Sequence, residues 1–234
     1  MHYRRVCIKL SGEVFGGKEG FGFDHAVIDS LSKQIKRIHE SGAEIGLIVG
    51  GGNIFRGTRS APEGMDRVAA DHMGMLATVI NAILLQDALE RNGLATRLLT
   101  AIEMRAIAEP YIKRRMVRHI EKRRVVIFAA GTGNPFFTTD TAAALRASEM
   151  AADVLIKGTK VDGVYDKDPA QYPDAERFDR LSYQEVLSRD LKVMDATAIA
   201  FCKDNSIPIL VLNIERENTL YDAVMGETVG TVIA

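Results

Sequence analysis

Short apolar segments alternate along this chain with longer segments of helical periodicity. The apolar segments are continuous rather than alternating and are rich in Val, Ile and Leu; they read RVCIKL, AEIGLIV, ATRLL, RVVIFAA, DVLIK, PILVLN and GTVIA. Continuous apolarity is typical of strands covered on both faces, and helices between strands are typical of parallel sheets. The pattern predicts an α/β fold, a three-layer αβα sandwich with a largely parallel central sheet.

Two helices have clear predicted boundaries. The first has apolar residues at helical spacing, and Asp24 is placed to begin it and Gly42 to end it. The second runs from about Asp66 to Asn92 and ends before Gly93. Its middle is apolar on nearly every side, which is more than one core-facing stripe requires. A subunit interface would explain the surplus, whose members include Leu76, Val79, Ile80, Ile83, Leu84 and Leu85.

The chain shows no internal repeat, no low-complexity tract and no linker rich in serine and proline. It has 234 residues, of which 47% are hydrophobic, and so is long enough to bury a substantial core. We therefore predict a single domain over residues 1–234, with lobes of about 1–150 and about 151–234 and one sheet through both. The acidic, proline-bearing segment 162–179 is expected to be a long loop over a site.

Charge narrows the choice of partners. Lys and Arg total 30 and Asp and Glu total 31, so the net charge is −1, which argues against nucleic acid or an anionic membrane as the main partner. The basic segment 113–124 has an apolar side and predicts a solvated amphipathic helix. The long apolar run that begins at Met73 predicts a buried helix rather than a membrane span, because it contains Thr78, Asn81 and Gln86.

The sequence lacks the residue patterns of several other kinds of site. Cys7 and Cys202 lie in apolar surroundings without a C-x-x-C spacing, which predicts reduced core cysteines. Together with an N-terminal segment that lacks a signal-peptide pattern, this indicates a cytoplasmic protein. The five histidines form no H-E-x-x-H or Cys/His set, no G-x-S-x-G motif is present, and the aspartates after Lys160 lack the glycine and glutamate of a calcium loop. We predict no protein-held metal site.

Three glycines follow the second apolar segment, in LIVGGGNIFRG at residues 47–57. Bare backbone amides of Gly50, Gly51 and Gly52, with the guanidinium of Arg56, are suited to bind one anionic group such as a phosphate. Neither standard phosphate motif applies, because Thr58 stands where a P-loop needs lysine and no strand is followed by G-x-G-x-x-G. A tight structural turn is the alternative explanation for the glycines alone.

The first strand ends in KLSGE, which puts Lys9 and Ser11 on one side of an extended chain, with Gly12 at the start of a loop. A lysine in an apolar strand is costly unless its ammonium reaches an anion or water. An anion site and a solvent-facing strand end are both consistent with this. The loop continues through GGKEGFG, residues 16–22, whose glycines indicate mobility or close approach.

The segment AGTGNPFFTTDT, residues 130–141, lies between a predicted strand and a predicted helix. Thr138 or Thr139 can cap that helix and Asp140 lies in its first turn, so a purely structural role is one interpretation. The rest of the loop favours a nucleoside site, since it combines flat rings with hydroxyl and amide groups. Those residues are Gly131, Thr132, Gly133, Asn134, Pro135, Phe136 and Phe137.

A further polar loop, KGTKVDGVYDKDP at residues 157–169, follows the next strand. Lys157, Thr159 and Lys160 surround the strand end, and Tyr165 and Asp168 lie beyond a glycine turn. In open parallel sheets ligands bind at the carboxyl ends of strands, so this loop is suited to cover a second nucleotide. An ordinary surface loop explains the same residues.

Taken together, six motifs resemble those of the bacterial uridylate kinases, a family of the amino acid kinase superfamily. They are K-x-S-G-E, G-G-G-N-x-F-R-G, D-H-M-G-M-L-A-T, G-T-G-N-P-F-F-T-T-D, K-x-T-K-V-D-G-V-Y and L-K-V-M-D, in order from about residue 5 to the C-terminus. The resemblance implies transfer of the γ-phosphoryl group of ATP to UMP, with Mg²⁺, in pyrimidine nucleotide biosynthesis. It also implies an N-terminal UMP lobe, a C-terminal ATP lobe, a homohexamer, activation by GTP and inhibition by UTP.

The resemblance also implies residue roles. Catalytic roles are expected for Lys9, Arg56 and Asp140, with Asp140 orienting the lysine. ATP contacts are expected at Lys9, Leu10, Ser11, Gly12, Gly52, Arg56, Thr159, Tyr165 and Asp168. UMP contacts are expected at Gly51, Asp71, Thr132, Gly133, Asn134, Pro135, Phe136, Phe137, Thr138 and Thr139, with Arg56 beside the UMP phosphate and Asp71 on the ribose. The effector-linked segment matches Gly17, Lys18, Glu19, Gly20, Phe21 and Gly22, and Asp195 matches an aspartate on the ATP side without an assigned role.

Two other functions remain possible at this stage. One is another phosphotransferase of the superfamily, acting on an amino-acid carboxylate, a carbamate or an isoprenoid phosphate. The other is a nucleotide-binding protein without turnover on the same fold. The simultaneous presence of Lys9, Arg56 and Asp140 weighs against the second, because a binding protein has less need of all three.

Overall fold

The computed structural model describes residues 2–55 and 64–234. All of the predicted strands form. The strands are β1 Arg5–Leu10, β2 Glu44–Val49, β3 Thr96–Thr100, β4 Glu109–Pro110, β5 Val125–Ala129, β6 Val154–Thr159, β7 Val164–Tyr165, β8 Arg177–Phe178, β9 Arg180–Leu181, β10 Ile209–Asn213 and β11 Thr231–Ile233. The helices are α1 Gly12–Phe15, α2 His25–Glu40, α3 Arg67–Arg91, α4 Lys113–Glu121, α5 Thr139–Glu149, α6 Tyr183–Ser188, α7 Ala196–Asp204 and α8 Thr219–Met225.

The main sheet of the described chain has the strand order β4-β3-β5-β2-β1-β6-β10-β11-β9. Neighbouring strands are parallel except for β10 and β11, which are antiparallel. The strands of the two predicted lobes meet where β1 pairs with β6, at the centre of the sheet. The prediction of a largely parallel sheet is therefore confirmed, while the division into two lobes stays a prediction.

Helices cover both faces of this sheet, because successive strand residues point to opposite sides. On one face Val6 and Ile8 of β1 pack in a core with α2, α3 and α8. On the other face Cys7 packs in a second core with α4, α5, α6 and α7. Cys202 of α7 lies in that second core, so both cysteines are buried and unbridged as predicted. The three-layer sandwich is confirmed.

Helix boundaries follow the capping residues in the sequence. The Asp24 carboxylate accepts hydrogen bonds from the first turn of α2, and Asp66 does the same for α3, which ends at Asn92. Helix α3 is long and apolar enough, by length and composition alone, to span a membrane. Leu85 and Leu89 of α3 are fully buried in the first core, as the sequence predicted for a core helix.

The segment 162–179 is more ordered than the predicted loop. Its two ends, β7 and β8, pair as an antiparallel ribbon, in which Val164 faces Phe178 and Tyr165 faces Arg177. Two-residue strands carry no readable periodicity, so the sequence could not reveal this pairing. The ribbon fixes where Tyr165 lies relative to the end of β6.

Candidate functional site

Two lysines lie side by side at the carboxyl ends of the central strands. Lys9 of β1 and Lys157 of β6 are register partners, so both side chains extend from the same face of the sheet. Lys9 is only 7% exposed. Two neighbouring buried ammonium groups repel one another and lose hydration, so this arrangement requires an anion.

Asp140 supplies that anion. It lies in the first turn of α5, where the Thr138 hydroxyl caps the helix by accepting from the amides of Asp140 and Thr141. The Asp140 Oδ1 atom lies 2.8 Å from Lys9 Nζ, and Oδ2 lies 2.9 Å from Lys157 Nζ. Lys157 Nζ also donates to the Val193 carbonyl. One carboxylate therefore bridges two cations and leaves a net positive charge on the cluster.

The pKa of Asp140 reflects this balance. Burial favours the neutral acid and so raises the pKa, but the charges of Lys9 and Lys157 together outweigh burial, and the pKa falls below its ordinary value. Burial also lowers the pKa of Lys157, which the Asp140 carboxylate opposes and the Lys9 charge reinforces. Asp140 is consequently ionised at neutral pH, as an orienting group for lysines must be.

Asp195, which the sequence left without a role, connects two helix starts. Its carboxylate caps α7 by accepting from the Ala198 amide, 2.8 Å away. It also accepts from the hydroxyls of Thr138 and Thr141 at the start of α5. Asp195 thus fixes the turn that carries Asp140, and it acts on the two lysines through that turn.

The triple-glycine turn packs against other backbone. A Cβ atom added at Gly12 would lie 2.3 Å from the Gly52 nitrogen, and one at Gly50 would lie 2.7 Å from the Gly12 nitrogen. A Cβ at Gly51 would lie 2.8 Å from Ala77 Cβ on α3. At Gly52, by contrast, no heavy atom of the described chain lies within 4 Å of that position. Among the described residues, therefore, no atom would clash with a methyl group at Gly52.

A cavity of about 160 Å³ borders this turn. Several predicted UMP contacts line it, namely Gly51, Asp71, Thr132, Phe137, Thr138 and Thr139, together with Gly52. The predicted contacts Gly133, Asn134, Pro135 and Phe136 belong to the same loop but do not line the cavity. The Asp71 carboxylate accepts from the Phe136 amide at 2.7 Å and from Arg67, so it already anchors that loop.

A second cavity, of about 440 Å³, borders the end of β6. The predicted ATP contacts Thr159, Tyr165 and Asp168 all line it, together with Val193. Val193 accepts from Lys157, and Thr139, which lines the first cavity, precedes Asp140, so the lysine–aspartate cluster adjoins both cavities although its three members line neither. The structure thus places part of the residues predicted for each nucleotide near one charged centre.

The remaining predicted residues differ in their surroundings. The Leu10 side chain is fully buried in the core, and its carbonyl accepts from the Gly50 amide. Ser11 precedes α1, and its carbonyl accepts from the Val14 amide. Arg56, predicted to be catalytic and to contact both nucleotides, lies outside the described residues.

A third cavity, of about 840 Å³, lies beside the loop that follows α1. Gly17, Lys18, Glu19 and Phe21 of the predicted effector-linked segment line it, together with residues of α2. Gly20 and Gly22 belong to the same loop but do not line the cavity. This cavity shares no lining residue with the other two cavities.

Lys157 is a residue that sequence reasoning noted but did not place in the site. Its signal is a second lysine near a strand end, followed by a glycine as Lys9 is, although Gly158 comes directly after Lys157 and Gly12 three residues after Lys9. Strand order and register decide whether two such lysines meet, and neither can be obtained from one sequence by periodicity. The pairing of β1 with β6 makes Lys157 a partner of Asp140.

A family model described as the amino acid kinase family matches residues 4–213. The chain belongs to the amino acid kinase family. Among solved structures it is similar to the UMP kinase from Bacillus anthracis, with 36% identity, a TM-score of 0.96, and coverage of 100% of this chain and 96% of that chain. It is also similar to the UMP kinase from Ureaplasma parvum, with 37% identity, a TM-score of 0.93 and full coverage of both chains.

A third similar structure is the uridylate kinase from Archaeoglobus fulgidus, with 32% identity, a TM-score of 0.74, and coverage of 99% of this chain and 100% of that chain. The predicted resemblance to uridylate kinases is confirmed. For an amino acid kinase, a cluster of lysines at the carboxyl ends of the central strands is suited to phosphoryl transfer from ATP. The described residues contain no group of three His, Cys, Asp or Glu side chains that could hold a metal ion.

Proposed function

We propose that this amino acid kinase is a UMP kinase, which transfers the γ-phosphoryl group of ATP to UMP to give UDP and ADP. The observation that carries the proposal is the bridging of Lys9 and Lys157 by Asp140, beside one cavity lined by predicted UMP contacts and one lined by predicted ATP contacts. The similarity to UMP kinases over the whole chain supports the choice of substrate.

The chemistry requires alignment and charge compensation more than a reactive side chain. The attacking group of UMP is a phosphate oxygen, which is largely ionised at neutral pH because the second phosphate pKa is about 6. No general base is therefore needed. Lys9 and Lys157 would stabilise the charge that builds up on the transferred group, and Asp140 would hold both ammonium groups in place.

Each substrate would be positioned by groups at its own end of the site. Gly51, Asp71 and the 132–139 loop would bind UMP, with the Asp71 carboxylate on the ribose hydroxyls. The Gly12 and Gly52 backbone, with Thr159, Tyr165 and Asp168, would bind ATP. Mg²⁺ would enter as part of the MgATP substrate, where it neutralises phosphate charge.

The test is a coupled assay of ADP formation with UMP, CMP and dUMP as acceptors, each with and without GTP. We expect UMP to give the highest kcat/KM, GTP to activate, and UTP to inhibit when it is added separately. If ATP binds but no nucleoside monophosphate is phosphorylated, the protein is a nucleotide-binding protein on this fold. If an acceptor of another class is phosphorylated instead, the reaction type stands and the substrate is wrong.

We further propose a homohexamer that works in the cytoplasm in pyrimidine nucleotide biosynthesis. Support for assembly comes from α3, where Met73, Leu76, Ile80 and Ile83 are between 41% and 47% exposed. Their spacing of three and four residues is that of a helix–helix seam. The effectors GTP and UTP remain part of the proposal, as do the absence of nucleic acid and of a membrane among the partners.

A further inference from the structure

Two asparagines are completely buried beneath the triple-glycine turn. Asn53 follows the turn and Asn81 lies in the middle of α3, and each is 0% exposed. Their side-chain amides face one another: Asn81 Nδ2 donates to Asn53 Oδ1 at 2.7 Å, and Asn53 Nδ2 donates to Asn81 Oδ1 at 3.1 Å. On α3 this reciprocal pair lies beside buried apolar residues such as Ala82 and Leu85.

The second hydrogen of each amide goes to backbone. Asn81 Nδ2 donates to the Gly50 carbonyl at 2.7 Å, and Asn53 Nδ2 donates to the Gly22 carbonyl at 2.8 Å. The Gly22 amide in turn donates to the Asn53 carbonyl at 2.9 Å. Every side-chain N–H of the pair is therefore used. The pair connects α3, the triple-glycine turn and the end of the 16–22 loop.

The pair also lies against the start of α1, which follows Lys9 by three residues. A Cβ atom at Gly12 would come within 2.9 Å of Asn53 Oδ1 and 2.3 Å of the Gly52 nitrogen, so the first residue of α1 packs directly on the amide and on the turn. The Gly50 amide also donates to the Leu10 carbonyl. The Asn53 amide therefore joins the turn to the backbone that follows Lys9.

Stability alone does not require the two hydrogen bonds between the amides, although the Gly50 and Gly22 carbonyls depend on the same side chains for a donor. Replacing both partners of a buried hydrogen bond by apolar groups of similar shape is often nearly neutral, whereas removing one partner leaves a costly unsatisfied group. What two directed amides provide, and two apolar side chains do not, is a single orientation of the backbone segments that they join.

We infer that Asn53 and Asn81 are positioning residues, which hold the triple-glycine turn and the start of α1 at Gly12 in register with Lys9 for phosphoryl transfer. The inference rests on the proposed function. Because a displacement of about 1 Å in such a site can cost about 100-fold in rate, a small loss of register is enough to be measured.

The first test is Asn81→Asp, assayed for UMP phosphorylation between pH 6 and pH 8. The ionised carboxylate of this variant has no hydrogen to donate to the Gly50 carbonyl or to Asn53 Oδ1, so kcat at pH 8 should fall at least about 10-fold. The hydrogen-bond partners described for Asn81 are neutral amides and carbonyls, and burial raises the pKa of a carboxyl among them. As the pH falls, the protonated acid regains one donor, and the ratio of variant to wild-type kcat should rise at least about threefold.

The matched control is Asn92→Asp, the same chemical change at the end of the same helix. Asn92 is partly exposed and donates to the Ala88 carbonyl and to the exposed Asp29 carboxylate, which Lys33 also pairs. A carboxylate at this position is solvated and has Lys33 and Arg91 nearby, so it stays ionised between pH 6 and pH 8. Its ratio to wild type should therefore not change with pH. Thermal unfolding of each variant establishes that the assays are run on folded protein. A folded Asn81→Asp enzyme with a kcat within about twofold of wild type from pH 6 to pH 8 overturns the inference.

The second test separates positioning from stability. The double variant Asn53→Ala, Asn81→Leu keeps the combined volume of the pair roughly constant and removes both side-chain amides, so that only the Gly50 and Gly22 carbonyls lose their described donors. We expect a folded protein whose thermal midpoint is below that of wild type, together with a kcat that is lower by about 10-fold or more when it is assayed below that midpoint. A folded double variant with a kcat within about twofold of wild type overturns the inference. Inactivity of wild type itself would instead overturn the proposed function.

Discussion

At the scale of single residues, the site depends on a shared carboxylate. Lys9 and Lys157 are register partners on neighbouring strands, and Lys9 is buried. Without Asp140 the two positive charges would repel one another with little water to screen them. With Asp140 between them the cluster keeps a net positive charge and a fixed geometry. That combination suits the anionic phosphates of two nucleotides, because preorganised charge needs no rearrangement during the reaction.

Lys9→Met should remove turnover and leave the fold intact. Asp140 keeps its contact with Lys157 in this variant, so no buried charge is left without a partner. Loss of one preorganised positive donor typically costs on the order of 10²–10³ in kcat, and UMP binding measured by calorimetry should change little. Lys33→Met, on the exposed outer side of α2, is the control. A Lys9→Met enzyme with near wild-type kcat would exclude Lys9 from the mechanism.

Asp140 also predicts a pH dependence of stability. Its pKa in the folded state lies below the ordinary value, so ionised Asp140 stabilises the fold at pH values above the unfolded-state pKa, and that contribution disappears as the pH falls through the folded-state pKa. Urea unfolding of wild type and Asp140→Asn gives the contribution as a difference. It should be constant from about pH 5 to 8 and shrink below about pH 4. A difference that instead grows as the pH falls from about 7 to 5 would mean that burial dominates and the pKa is raised.

At the scale of elements, the glycines of the turn after β2 serve two different purposes, which a pair of alanine variants separates. Gly51→Ala would bring a Cβ against Ala77 of α3, and overpacking of this kind typically costs about 1–3 kcal/mol of unfolding free energy. Gly52→Ala meets no described atom within 4 Å and should change stability by less than about 0.5 kcal/mol.

The effect of Gly52→Ala should instead be seen in the KM values for the nucleotides, since Gly52 is a predicted ATP contact and also lines the cavity of the predicted UMP contacts. Steady-state kinetics and urea unfolding of both variants test the pair. Equal losses of stability in the two variants would show that the turn packs as one unit. Unchanged KM values for both nucleotides in Gly52→Ala would place their phosphates elsewhere.

Some of the helices and strands could be predicted from the sequence, whereas the way they meet could not. Apolar continuity located the long strands, and capping aspartates located the starts of α2 and α3, because these signals are local. Strand order is not local, so the meeting of Lys157 with Asp140 and the burial of Asn81 against Asn53 could not be predicted. The two-residue strands β7 and β8 depend on tertiary pairing and left no pattern to recognise.

At the scale of the whole molecule, α3 connects the site to the surface. Its inner side carries Asn81 and Leu85 into the core, while its outer side exposes a stripe of Met73, Leu76, Ile80 and Ile83. The net charge of −1 offers little long-range repulsion between copies of the chain. A stripe of this spacing on a single helix is buried most simply against the same stripe of a second copy, since a two-fold interface matches a patch with itself.

Ile80→Glu should therefore break this interface without unfolding the subunit, because the Ile80 side chain is 47% exposed and the glutamate can be solvated in the separated chain. Sedimentation velocity should show a smaller species than for wild type at equal concentration. Tyr172→Glu, a change of similar exposure on the 162–179 segment, should leave the assembly intact. If Ile80→Glu sediments like wild type, the stripe is not the contact. If the wild type is itself monomeric, the proposed assembly is wrong, and the apolar surplus of α3 requires another partner.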